Sequence, residues 1–166
     1  ADAVETAEAW HCAITHRTTP SILALSRQGL PQFRDGDMSE NKSAKGAYVA
    51  AGATADRQIT LLASGTEVAI AMDAQAALAG DGIKASVVSV PCLDLFTHQS
   101  ETYQDAALGT APRVVIEAGL RQPWDRLLGK GDGFIGMDDF GASGPIDDLY
   151  QHFNITSTAA VTLAKT

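Results

Sequence analysis

Basic residues are scarce in this chain: 12 Lys and Arg stand against 20 Asp and Glu, leaving a formal net charge of −8. With no Lys/Arg stripe there is no footprint for tracking a phosphate backbone, so the charge argues against nucleic acid as a partner and the acidity serves solubility. Long apolar runs are missing too, and none approaches the roughly 20 residues that span a bilayer, so no membrane role is expected. The first residues, Ala1-Asp2-Ala3-Val4-Glu5, lack the basic start and continuous apolar core of a secretory signal. Asn154-Ile155-Thr156 is a formal glycosylation sequon that carries no weight without a secretory context. Only two cysteines occur, Cys12 and Cys92, far apart in sequence and without metal-ligand spacing. They are expected to be buried free thiols, in keeping with a reducing, cytoplasmic compartment. His11, His16, His98 and His152 show no metal spacing either: the first two lie five apart, which puts them on different faces of a helix.

What remains is a chain that is 45% hydrophobic, long enough at 166 residues for one ordinary core. From Tyr48 onward, apolar runs at 59–63, 85–90, 114–116 and 134–137 alternate with helical patterns at 67–78, 99–108, 123–128, 145–153 and 157–165. That alternation predicts an α/β fold, a three-layer α/β/α arrangement around a twisted, mostly parallel sheet. Ser64 and Glu67 have capping-box spacing at the start of one helix, and Gly80 and Gly82 can end it. Ser143 or Gly144, followed by Pro145, Asp147 and Asp148, predicts another helix start.

Before Tyr48 the pattern changes. Ala3, Val4, Ala7, Trp10 and Ile14 recur at helical intervals and predict an apolar helix face ending before Thr18-Thr19-Pro20, and the apolar run at 21–25 predicts one buried strand. A helix and a strand cannot close a core, so residues 1–33 are expected to be the tail of a preceding domain. Residues 34–47 form the expected linker, exposed between Arg34 and Lys45 and rich in small polar residues, and 48–166 form the main domain.

Three stretches imitate active-site motifs. The Ser64-Gly65-Thr66 turn opens a helix and could hold a small anion, but one glycine without a P-loop lysine favours a helix cap. Gly141-Ala142-Ser143-Gly144-Pro145 has the wrong order for a nucleophile elbow. Gly131-Asp132-Gly133 suits a tight turn before the strand at 134–137. Glu117 closes an apolar strand, where it either orients a loop or interface or is an ordinary hydrogen-bonded strand-end acid, and Trp124 is an interface or core anchor.

The residue singled out for binding is Arg27. Where the run at 21–25 ends, it projects a planar guanidinium suited to phosphate or carboxylate, at the kind of strand end where open α/β sheets hold ligands.

Ser26-Arg27-Gln28-Gly29-Leu30-Pro31 is similar to the Ser-Arg-Gln-Asn-Leu-Pro segment of transketolases. Gly46-Ala47-Tyr48-Val49, Ala63-Ser64-Gly65-Thr66-Glu67-Val68, Val87-Val88-Ser89-Val90-Pro91, Asp94-Leu95-Phe96, Glu117-Ala118-Gly119 and the run from Gly136 to Pro145 resemble successive landmarks of the transketolase C-terminal third. The resemblance covers essentially the whole chain, with departures at Gly29, usually Asn, and Gly144, commonly Ala. It implies that residues 1–33 are the last helix and strand of a pyrimidine-binding domain, and that Arg27 binds the terminal phosphate of a sugar substrate. It implies further a full-length homodimeric enzyme that moves two-carbon ketol units between sugar phosphates with thiamine diphosphate and a divalent metal, magnesium or calcium. Those cofactor sites belong to domains upstream of nearly everything here, so this piece is expected to bind no cofactor and to be inactive alone. Gly131-Asp132-Gly133 is not the family's diphosphate motif, because Asn154 comes too soon and the position lies among C-terminal landmarks. The alternatives are the corresponding part of a 2-oxoacid dehydrogenase or deoxyxylulose-phosphate synthase, or a noncatalytic module binding an effector anion near Ser64.

Overall fold

The computed structural model describes residues 1–34, 39–52 and 54–166. Its centre is a five-stranded sheet in the order β1-β3-β2-β4-β5, built from β1 (Tyr48–Ala51), β2 (Ile59–Ala63), β3 (Ala85–Ser89), β4 (Arg113–Ile116) and β5 (Gly133–Ile135). All neighbours run parallel except β1, which pairs antiparallel with β3, Tyr48 opposite Ser89. β2 and β3 are buried along their whole length, as strands covered on both faces must be.

The period of two in these strands sorts their side chains into two cores. Leu61, Ala63, Val87, Val114 and Ile116 meet α2 (Glu67–Gly80) and α6 (Ser157–Ala164) on one face. Leu62, Val88 and Val115 meet Phe96 of α3 (Leu93–Thr97), Ala107 and Leu108 of α4 (Glu101–Leu108) and Trp124 on the other. Trp124 is therefore a core anchor, 3% exposed in a 3-10 turn at Gln122–Arg126. The three layers match the expectation from sequence. β1 and α3 lie outside the expected elements.

Helix starts differ from the sequence reading. The capping box at Ser64 does not form: Thr66 is the N-cap of α2 and makes no side-chain cap bond, while Ser64 and Glu67 bond elsewhere. Gly82 takes φ +76 just beyond α2, as a chain reversal there requires. α5 (Ile146–His152) begins from Pro145 itself, not from Ser143 or Gly144, with Asp147 and Asp148 in its first turn. Asp132 makes the expected turn, its carboxylate accepting from the backbone N–H groups of Arg113 (2.9 Å) and Gly129 (2.7 Å).

The largest reversal concerns α1 (Ala3–Thr15). Its apolar stripe faces outward, with Trp10 50% and Ile14 70% exposed, and its buried residues are Glu5 and Glu8. Their partners explain this. Glu8 receives both terminal nitrogens of Arg34 at 2.6 and 2.7 Å, and the N–H and hydroxyl of Ser43 at 3.0 and 2.6 Å. Glu5 accepts from Tyr48 Oη at 2.9 Å and from Ser89 Oγ, and Arg34 stacks 5.0 Å from the Tyr48 ring centre. Asp2 caps α1 through Glu5 N–H at 2.8 Å and also accepts from Gln32 Nε2 and Arg34 N–H. The helix is thus docked onto the sheet domain by hydrogen-bonded charge.

This docking corrects the expected exposed linker at both ends, because Arg34 and Ser43 are 7% and 4% exposed and Ala47 is fully buried. Residues 35–38 of that linker lie outside the described residues. The strand expected at 21–25 does not form either; the segment is irregular, with Ile22 97% and Leu25 53% exposed. A strand needs a neighbour's ladder, and no described strand lies beside it. Cys12 and Cys92 are free as expected, though half-buried rather than buried.

Candidate functional site

The chain passes from β2 to β3 on one side of the sheet and then crosses to β4 on the other side of β2. The carboxyl ends of β2 and β4 therefore flank the point where connections diverge, the usual ligand position in open α/β sheets. Ser64 follows β2, Glu117 follows β4, and Ser64 Oγ donates to Glu117 Oε2 at 2.8 Å. Burial pushes the Glu117 carboxyl up to about 7; the Ser64 hydrogen bond opposes that rise and the nearby Glu67 charge adds to it. Glu67, 5% exposed in the first turn of α2, accepts from Tyr150 Oη at 2.6 Å and is itself pushed upward by burial.

Thr66 turns the other way. Its Oγ1 donates to Ser26 Oγ at 3.1 Å, which brings the irregular segment after α1 onto this edge of the sheet. Gly65 lies between at φ +51, and only the Ser26 hydroxyl comes within 4 Å of where a Cβ would stand, so its need for glycine is conformational. Arg27 follows immediately, exposed, and makes no hydrogen bond or ion pair among the described residues. An open cavity of about 840 Å³ lies between α1, this segment and the ends of β2 and β3, with His16, Ser26, Gln28, Ser64 and Cys92 on its wall.

Glu117 is a hydrogen-bonded strand-end acid, the more ordinary of the two readings weighed for it. The anion reading at Ser64 loses ground on charge, since its hydroxyl is committed to one carboxylate and Glu67 places a second in the same helix turn. No group of three or more His, Cys, Asp or Glu able to hold a metal occurs among the described residues, and no described helix is long and apolar enough to cross a membrane.

The partners of Thr66 and Glu67 escaped the sequence reading because the pairs they form with Ser26 and Tyr150 span 40 and 83 residues. The buried charges of α1 did leave a trace: Asp2, Glu5 and Glu8 recur every three residues, on the face opposite Ala3, Ala7 and Trp10.

The family described as transketolase-like TK C-terminal domain matches residues 46–156, more than half of the chain. The chain belongs to this family. Among relatives, a transketolase of Cereibacter sphaeroides is 53% identical over 165 residues, 99% of this chain and 25% of that protein. Transketolase from Leishmania mexicana superposes with a TM-score of 0.85 at 37% identity, covering 99% of this chain and 24% of that one. The transketolase of Pichia stipitis in complex with sedoheptulose-7-phosphate gives 0.89 at 35% identity, with the same coverage of 99% and 24%. The chain thus spans about a quarter of the length of these relatives. Within the transketolase frame, the matched domain carries the sheet and Glu117, while Arg27 and α1 precede it.

The raised Glu117 carboxyl has a measurable consequence. Because its folded value lies above the ordinary 4.5, the folded chain holds more protons than the unfolded one between about 4.5 and 7, and stability falls as pH rises through that window. Glu117→Gln should therefore stabilise the protein by about 2 kcal/mol at pH 8, allowing for the water that reaches this half-buried group, and by much less at pH 5. Urea unfolding at the two pH values measures this, and a gain independent of pH would contradict it.

Proposed function

We propose that this chain is the C-terminal part of a transketolase, in which Arg27 binds the terminal phosphate of the sugar substrates. The observation that carries the reading is Arg27 itself: an exposed guanidinium, unpaired among the described residues, in a loop docked at the sheet's carboxyl edge. A buried or paired arginine would have no charge to spare. A guanidinium fork matches phosphate oxygens, and a remote phosphate held firmly orients the reacting carbons. That the Pichia stipitis relative was solved with a phosphorylated sugar supports this substrate class.

In the full-length enzyme the reaction moves a two-carbon ketol unit between sugar phosphates, and thiamine diphosphate supplies the electron sink when bound. The residues described here do not fit that cofactor or its metal. The carboxylate of Asp132 is spent on two backbone N–H groups, and no other acidic or His/Cys cluster offers ligands among the described residues. We therefore assign both groups to upstream domains and derive no step through them. Those domains, with residues 1–33 as their tail and a second subunit completing a homodimer, would cover Trp10, Ile14, Ile22 and Leu25, which stand exposed here. Two half-buried free thiols suit a reducing compartment such as the cytoplasm.

The test is Arg27→Ala in the full-length protein. Loss of a charge-assisted pair of about 2 to 4 kcal/mol should lower kcat/KM for phosphorylated sugars by roughly 30- to 1,000-fold. An unphosphorylated donor and acceptor should react as before, and thiamine diphosphate affinity should hardly change. Equal loss with both kinds of substrate, in folded and cofactor-loaded protein, would make Arg27 structural.

A further inference from the structure

We infer that Thr66 is the positioning residue of the Arg27 loop, and that through it the C-terminal domain sets affinity for the substrate phosphate. This rests on the phosphate-binding reading of Arg27. Between Thr18 and Pro31, the hydrogen bond from Thr66 Oγ1 to Ser26 Oγ is the one that ties the backbone segment to the sheet domain among the described residues. It reaches the residue directly before Arg27.

The donor side of that bond is rigid. Thr66 is the N-cap of α2 but makes no side-chain cap bond; its hydroxyl reaches outward to Ser26 and also meets Tyr150 of α5, which holds it in place. β2, wholly buried, ends three residues earlier. On one flank Ser64 is fastened to Glu117 of the neighbouring strand end, and on the other Glu67 is fastened to Tyr150 of α5. The acceptor side is loose: Ser26, Arg27, Gln28 and Gly29 are all exposed, the backbone bends at 27–28, and nothing stands within 4 Å of where a Cβ of Gly29 would be. A fixed post therefore meets a loop with little else to hold it.

Such a bond is exposed and adds little to folding. Its effect is on the fraction of time that the Arg27 loop is in position to bind. If binding requires that position, the apparent dissociation constant rises in inverse proportion to the fraction, while turnover of the bound complex is unchanged. Thr66→Ala removes the tie together with the Thr66 contact to the Tyr150 hydroxyl, while Tyr150 keeps its bond to Glu67 and so its hold on the start of α2.

In the full-length enzyme, Thr66→Ala should raise KM for a phosphorylated sugar by about 3- to 10-fold with kcat within 2-fold of the parent. Thr66→Ser, which keeps the hydroxyl, should restore KM, and the unphosphorylated donor and acceptor pair should be indifferent to either change. Added to Arg27→Ala, Thr66→Ala should have no further effect, because both act through one contact. An unchanged KM in Thr66→Ala, beside an Arg27→Ala variant that loses phosphorylated substrates selectively, would overturn the positioning role and leave the phosphate reading standing. An Arg27→Ala variant with no preference between substrates would overturn both. A fall in kcat with every substrate in Thr66→Ala, not rescued by Ser, would assign Thr66 to the general stability of α2 and overturn the inference.

Discussion

Arg34→Ala should destabilise the chain by about 3 to 5 kcal/mol, because it strands the Glu8 carboxylate in a site where its side chain is only 10% exposed. The pair is bidentate and sealed by Ser43, so no water reaches the vacated side easily. Removing both charges is a different matter. A double variant, Glu8→Leu with Arg34→Met, should recover most of the loss, since two apolar groups of similar size need no partner. Denaturant unfolding of the three proteins decides it, and a single variant losing under about 1 kcal/mol would mean that α1 does not stay docked. The same pair gives an acid signature. Burial alone would raise the Glu8 carboxyl, but the hydrogen bonds from Arg34 and Ser43 outweigh it and hold the value at about 2. A lowered folded value means stability that is complete above about 4.5 and lost as pH falls toward 2, amounting to about 3 kcal/mol.

The second large effect belongs to Gly46, at φ +80 where the 3-10 turn Lys42–Lys45 gives way to β1. A Cβ there would stand 2.2 Å from the backbone N of Phe96 and 2.5 Å from the carbonyl oxygen of Cys92. Neither is the end of a flexible side chain, so the strand or the α3 turn has to move. Gly46→Ala should cost more than about 4 kcal/mol, close to the whole stability of an ordinary domain. Gly82→Ala is the control. It shares a positive φ of +76 but meets nothing within 4 Å, so only the left-handed conformation is penalised, by about 1 to 2 kcal/mol. Similar losses at both glycines would show that α3 yields readily to an added methyl group.

The sheet was readable because its central strands are largely apolar runs: Ile59–Ala63 and Ala85–Ser89 are covered on both faces, and that demand shows in consecutive residues, with Thr60, Ser86 and Ser89 buried among them. β1 was not, since Tyr48–Ala51 is a four-residue edge of mixed burial, and the five residues of α3 are too few to show a helical period. α1 was recognised as a helix and turned the wrong way. Periodicity assigns the apolar stripe to the core, whereas here the core-facing positions are carboxylates whose partners Arg34, Ser43 and Tyr48 lie 26 to 43 residues on. The same distance in sequence hid the partners of Thr66 and Glu67. Arg27 was singled out from a local motif, and local motifs carry no information about what holds them in place.

The polar docking of α1 also dictates where such a protein can be cut and rejoined. A docked helix held by grease tolerates sliding and substitution, but this one is held by Glu5 and Glu8 on one side and Arg34, Ser43, Tyr48 and Ser89 on the other, each aimed at a particular oxygen or nitrogen. A chimera joined between residues 17 and 33 to a parent with different groups at those places would inherit half a set of buried charges. Recombination partners should therefore be chosen by whether they bring all six residues together, with overall sequence identity a secondary criterion.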